Sequence, residues 1–316
     1  MELTIAVIGP LGSAERIVAQ PMLTAVRAAV HGAGPVFGGR VAVRELDDRR
    51  DPELAVRLVE RCIEDPDVIG VVGPKNSGSA LAAQELACGS GLPLLLPAAT
   101  ADTLAGHGTT LRLCAPDAAT AAAAARLVAG LRVQRLWVEA DVTAYGQRLA
   151  SAVRTEAARI ALPLATSVEA ADAAFLAMGE VEQSARIVAL RAQGYEGELI
   201  GAEGGPGAPL AELAGQAGDG CWQLYPGTHA AGHRHVYTAE AAAAATALLR
   251  AFDAIGDRTE IATWLRRRDR EVITSELGPL WFDADGQRTG ASVSLWRMEA
   301  GRSLPVNIQP SAVAAG

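Results

Sequence analysis

Two segments of this chain bring a hydroxyl and several small residues to a point where a strand gives way to a helix: Gly73-Pro74-Lys75-Asn76-Ser77-Gly78 and Pro97-Ala98-Ala99-Thr100. Backbone N–H groups face outward at such points, and a hydroxyl beside them can share an anion with them. A carboxylate suits that setting, because it only accepts hydrogen bonds and the positive end of a helix favours it. The same residue types also serve as ordinary helix caps, so on spacing alone Ser77 and Thr100 carry both readings. His229, His233 and His235 put three imidazoles within seven residues. A zinc site wants defined secondary structure and a further ligand, so no metal is expected there. Gly9-Pro10-Leu11-Gly12 lacks the G-x-G-x-x-G spacing of a dinucleotide site. The sequence holds no G-x-S-x-G elbow, Walker loop or H-E-x-x-H, and Ser77 has no evident histidine partner. Neither an enzyme nor a cofactor is expected. The cysteines Cys62, Cys88, Cys114 and Cys221 form no C-x-x-C pair and read as buried free thiols.

The elements that must position these residues follow from the hydropathy pattern. A chain of 316 residues exceeds what one core organises, so two lobes of roughly 120–180 residues are expected. It is 50% hydrophobic and only 4% aromatic, so the core is built from Ala, Val and Leu. The net charge of −8 argues against a nucleic-acid partner. No run approaches the roughly 18–20 apolar residues needed to cross a bilayer, so no membrane insertion is expected. Short β-branched runs alternate with helical periodicity, the pattern of a parallel sheet covered by helices. Strands are predicted at 3–8, 40–46, 68–72 and 92–96, with helices over 17–30, from Asp51-Pro52-Glu53 onward, and from about Ser79. Asp51 caps its helix, Pro52 fits the first turn and Glu53 complements the dipole. Leu54, Leu58, Val59, Cys62 and Ile63 share one face of it. The pattern restarts at Asp117 with an alanine-rich helix, then a strand at 135–139 and further units at 145–159, 173–193 and 198–201. Helices at 239–255 and 261–267 and a β-like tail over 278–298 follow.

The stretches VIGVVGPKNSGSALAAQELA and GLPLLLPAATADTLA resemble the ligand-binding core of the leucine/isoleucine/valine-binding proteins, type I periplasmic binding proteins that serve ABC importers. LDDRRDPELAV, VTAYGQRLA, LIGAEGGPGAPLAELAG and GPLWFDADGQRTGASVSLWRM find counterparts in the same order, so the resemblance runs nearly the whole chain. It implies a type I periplasmic-binding-protein fold: two doubly wound parallel-sheet α/β lobes joined by three hinge crossovers near 116–118, 227–230 and 283–289. One lobe would comprise 1–117 with 228–284, the other 118–227 with 285–316.

The resemblance also implies a ligand, an amino acid or similar small carboxylate, and its holders. Its α-carboxylate would meet the hydroxyls of Ser77 and Thr100 and the backbone near Ala98, while the other lobe supplies Tyr145 and, for the α-ammonium, Glu203. A zwitterion leaving water needs both ends met. Grip from two lobes would drive closure. The chain departs from the family in places. Val18 stands where relatives put an aromatic residue, and Gly179 or Glu180 where they put a tyrosine; Glu180 could face a cationic or hydroxylated ligand or be an exposed acid before a helix. The disulfide of some relatives maps to Arg50 and Asn76 and is therefore absent, and the segment after Pro226-Gly227 is shorter. The implied partner is an ABC permease, or a regulator protein if the chain is a ligand sensor. No export signal is read at Met1-Glu2-Leu3-Thr4-Ile5. An extracytoplasmic location is expected of a trimmed mature form and a cytoplasmic one of a complete gene product.

Overall fold

Seven buried residues in succession follow Glu2, and a strand buried on both faces is the result. This strand, β1 (Glu2–Gly9), lies in a five-stranded parallel sheet with β2 (Arg40–Asp47), β3 (Val68–Val72), β4 (Leu94–Leu96) and β5 (Thr110–Arg112), in the order β2-β1-β3-β4-β5. The structure is a computed structural model that describes residues 2–12, 15–207, 209–230 and 232–306. Helices α1 (Arg16–Ala33), α2 (Pro52–Glu64) and α3 (Ser77–Ser90) link the first four strands. The strand order turns back between β1 and β3, and ligands of open α/β sheets bind beyond the carboxyl ends of the strands at such a switch point. Asp51 caps α2 as its sequence requires, accepting from the amides of Glu53 and Leu54. The helix buries Ala55, Leu58, Val59 and Cys62, with Leu54 and Ile63 packed at the margin.

The chain divides into two units. The first comprises Met1–Ala119 with Pro226–Ser292, and the second Thr120–Tyr225 with the segment from Val293 onward. Segment 285–292 goes with the first unit, because Arg288 donates its amide to Arg112 O and its Nε to Leu113 O, and Gln287 Nε2 donates to Cys114 O.

The second unit holds α4 (Asp117–Gly130) from Thr120 onward, β6 (Leu136–Ala140), α5 (Ala144–Arg159), β7 (Ala173–Ala177), α6 (Glu180–Ala192), β8 (Glu198–Ala202), α7 (Pro209–Ala214) and β9 (Trp222–Tyr225). Strands β6 to β9 run parallel in sequence order. Between α5 and β7 the chain touches the outer edge of β6 at one parallel bridge, Leu136 to Leu164. That bridge stands where β2 stands in the first unit, so both units are doubly wound. The first unit then gains α8 (Thr238–Ile255), α9 (Ile261–Arg266) and a hairpin of β10 (Ile273–Ser275) and β11 (Gly278–Leu280). Alanines line α8, and it approaches β3 so closely that a Cβ at Gly70 would overlap the side chain of Leu248. The sheet of the second unit ends with β12 (Ser294–Glu299) and β13 (Arg302–Val306), both antiparallel to their neighbours. Among the described residues no helix is long and apolar enough to cross a membrane.

Candidate functional site

In the first unit the residues of interest gather beyond the carboxyl ends of β1, β3 and β4. Helix α3 starts two residues earlier than its sequence suggests: Asn76 is its N-cap and Ser77 its first residue, 5% exposed. Ser77 is therefore not the cap. Its Oγ accepts from the amides of Thr100 at 3.1 Å and Ala101 at 3.3 Å. With both acceptor positions filled, the Ser77 hydroxyl has its own hydrogen left to donate. Thr100 is 1% exposed, and its Oγ1 has no hydrogen-bond partner among the described residues. A buried hydroxyl left without a partner is costly in a finished interior and explicable at a site that a polar group enters. Ala98 is buried in the same loop, before the short 3-10 turn Asp102–Leu104. Gly73, where β3 leaves the sheet, has a φ of +113°, and a Cβ there would collide with Ile8 O. The turn that delivers Ser77 therefore requires glycine.

Beside this nest lies a charged cluster that the sequence reading missed. Glu15 and Lys75, 2% and 4% exposed, are joined at 3.3 Å, and Arg50 reaches the other carboxylate oxygen of Glu15 at 2.7 Å. Asn76 Nδ2 also donates to Glu15. Burial works against the charge on Glu15, but Lys75, Arg50 and the hydrogen bonds outweigh it and hold the carboxyl below its ordinary value. Asp48, fully buried nearby, is pushed above its ordinary value by burial, against the bond from Arg50 N–H. The only signal in the sequence was an acid set among small residues after β1, too common a pattern to single out. Val18, in the first turn of α1, is buried at 1% exposure.

In the second unit the residues of interest again follow successive parallel strands. Tyr145 is the second residue of α5, after the cap Thr143, and packs partly buried against the core. Gly146 cannot carry a Cβ, which would overlap Asp141 and Ala177 O. Gly179 caps α6, and Glu180 opens it with 2% exposure, so it is not the solvent-facing acid that a helix start suggested. Glu203 follows β8 with 7% exposure and a φ of +63°. It too is no solvated loop acid. Leu176 pairs with Gly201 at the end of the β7–β8 ladder, so Glu180 and Glu203 stand four and two residues past the last paired positions of adjacent strands. Two buried amides fix the Glu203 loop: Gln183 Nε2 donates to Gln223 Oε1 at 2.8 Å, and their side chains fill the space that Cβ atoms at Gly201 and Gly204 would need. The glycines at 201, 204 and 205 were the visible trace of that close packing.

His233 shares a hydrogen bond with the Thr238 hydroxyl at 3.0 Å. Among the described residues no three His, Cys, Asp or Glu side chains are gathered as a metal site. Cys62, Cys114 and Cys221 are buried free thiols, whereas Cys88 in α3 is only half-buried.

Comparison with known proteins bears on this arrangement. The model of a family described as periplasmic binding protein matches residues 2–272. BraC3, a Leu/Ile/Val-binding protein of Rhizobium johnstonii, is 26% identical over 351 aligned residues that cover 95% of this chain and 93% of that one. The Leu/Ile/Val-binding protein of Escherichia coli K12 is 23% identical, covering 83% and 80%. Among solved structures, the leucine-binding protein LivK of Thermotoga maritima superposes with a TM-score of 0.88 at 21% identity, over 98% of this chain and 100% of that one. LivJ of Streptococcus pneumoniae, a branched-chain amino acid transporter substrate-binding protein in complex with isoleucine, gives 0.83 at 16%, over 97% and 100%. The fold is thus that of the type I periplasmic binding proteins.

Proposed function

This chain belongs to the periplasmic binding protein family, and from that premise we propose that it captures an amino acid or a similar small carboxylate and is the solute receptor of an ABC importer. The ligand carboxylate meets the Ser77 hydroxyl, the Thr100 hydroxyl and backbone near Ala98. Its ammonium meets Glu203, with Tyr145 alongside. Val18, Gly179 and Glu180 border the ligand's side chain. Binding favours whichever conformation of the protein makes the better contacts with the ligand, by the difference in those contacts. The ligand is bound and released unchanged. The importer's permease is the protein partner, and the setting is extracytoplasmic, as the names of the relatives suggest.

One observation carries this reading: a buried serine hydroxyl that already accepts two amides stands next to a buried threonine hydroxyl with no partner among the described residues. Both are donors awaiting an acceptor, and neither needs a general base or nucleophile beside it. The test is a thermal-shift screen of the purified protein against the proteinogenic amino acids and their carboxylate analogues, with Glu203→Gln and Ser77→Ala beside the wild type. A ligand at a hundredfold excess over its Kd stabilises the native state by about 2.7 kcal/mol. A shift given by an α-amino acid and lost in both variants supports the reading. A shift given only by carboxylates without an amino group overturns the role of Glu203, and turnover of any ligand overturns the receptor.

A further inference from the structure

Behind the Ser77–Thr100 nest lies an arginine that the proposed contacts do not use. Arg112, the last residue of β5, is 4% exposed. Its Nη1 donates to Ala101 O at 2.6 Å and to Thr100 O at 3.3 Å, and its Nε donates to Gln287 Oε1 at 2.6 Å. All three acceptors are neutral. Among the described residues no carboxylate forms an ion pair with it, so its buried guanidinium is held directly by neutral acceptors. Such a charge is costly unless something else gains from it.

The hydrogen bonds say what gains. Thr100 O and Ala101 N–H are the two ends of one peptide group. The guanidinium binds the oxygen end, and the N–H end donates to Ser77 Oγ. Asp117 N–H adds a second donor to Thr100 O at 2.8 Å. The result is a chain of donors aligned in one direction, guanidinium to peptide to serine hydroxyl, in which each bond polarises the next. It ends at the hydroxyl hydrogen that Ser77 has left to give. A positive charge at one end of such a chain makes the far end a better donor to an anion than to a neutral oxygen.

We propose that Arg112, without touching the ligand, sets the anion preference of the Ser77–Thr100 end of the site, acting through the Thr100–Ala101 peptide as a positioning and polarising residue. The inference rests on the reading that a ligand carboxylate sits there. It predicts discrimination between a carboxylate and its uncharged carboxamide, which an ordinary structural arginine would not affect.

The experiment measures affinities of wild type, Arg112→Gln and Arg112→Lys for the proteinogenic L-amino acids and their α-carboxamides by titration calorimetry, with far-UV circular dichroism of each protein. Gln keeps a donor for the carbonyls and removes the charge; Lys keeps the charge and one donor. The expected result is that R112Q binds the preferred amino acid about tenfold or more weakly while its affinity for the carboxamide changes less than about threefold. R112K should keep most of the acid-over-amide preference. Equal weakening of acid and amide in R112Q, or no change in either, overturns the proposal and leaves the receptor reading standing. Should R112Q fail to fold, a folded R112K that has lost the preference overturns it and one that keeps the preference supports it. If wild type binds no amino acid, the receptor reading itself fails and this inference falls with it.

Discussion

Lys75 and Glu15 are held 3.3 Å apart with both side chains almost wholly out of water, one just beyond β3 and the other just before α1. Arg50 and Asn76 both bind the same Glu15 carboxylate. A buried carboxylate thus links the segments after β1, β2 and β3 at the switch point of the first sheet. Removing one member of a buried pair strands the other charge. Glu15→Ala should therefore lower unfolding free energy by about 3–5 kcal/mol, whereas replacing Glu15 and Lys75 together with Met should cost much less. Urea unfolding of the three proteins checks this, and equal losses in single and double variants would contradict it.

The same cluster makes the stability pH-dependent in two opposed ways. Glu15 is lowered below 4.5 because its cationic neighbours outweigh burial, so its contribution is complete above that pH and is lost as pH falls through the folded value. Asp48 is raised above 3.8, chiefly by burial, so its contribution is complete below that pH and is lost as pH rises through the folded value. Asp48→Asn should accordingly hold or raise stability at neutral pH, and Glu15→Gln should flatten the loss on acidification. Chemical denaturation across about pH 3.5 to 7 reads both; a D48N protein that is less stable at pH 7 would sink the first expectation.

At the ligand end, Thr100→Val keeps the shape and removes the hydroxyl that lacks a partner among the described residues. It should leave the fold as stable as before or slightly more so, because no hydrogen bond is broken, while weakening amino-acid binding about tenfold. Ser77→Ala should weaken binding by a similar or larger factor and also cost stability, since the amides of Thr100 and Ala101 lose their acceptor. The contrast between these two variants is the informative outcome.

Glu203 sits at a φ of +63°, a conformation that glycine adopts without strain. Glu203→Gly should therefore relieve that backbone strain while abolishing the ligand-induced thermal shift. A glycine variant that still shows the full shift would remove Glu203 from the site.

Arg258 supplies a control outside the proposed site. Its two terminal nitrogens donate to the carbonyls of Cys62, Ile63, Asp65 and Val68, where α2 ends and β3 begins. Arg258→Met should cost about 2–3 kcal/mol with the amino-acid Kd unchanged. A changed Kd would mean that this corner is coupled to the site.

What could be read from the sequence and what could not divide along physical lines. Helix α2 was legible because its signals are local: a capping aspartate, a first-turn proline and a 3.6-residue apolar period. Strands β1 and β3 were legible because strands buried on both faces are apolar without interruption. By contrast β5, three residues long, and β9 and β13 are defined by their neighbours in the sheet and carry no turn signature of their own. The start of α3 was placed late because Ser77 resembles a cap, and only its bonds to the Thr100 loop, 23 residues on, reveal its role. The burial of Glu15, Glu180 and Glu203 could not be read either, since a carboxylate is taken from water by what packs around it and not by its neighbours in the chain.

Positions 50 and 76 are linked through the Glu15 carboxylate, by an ion pair from Arg50 and a hydrogen bond from Asn76, and that has a chemical consequence for how the protein is made and handled. The cysteines are free, and burial pushes the thiols of Cys62 and Cys221 up to about 11, where thiolate, the reactive form, is scarce. Dithiothreitol should thus neither unfold the protein nor slow its refolding, and no oxidant or isomerase is needed to reach the native state. Acid, and not reductant, is what should loosen this chain, because acid discharges the carboxylate that ties the switch point together.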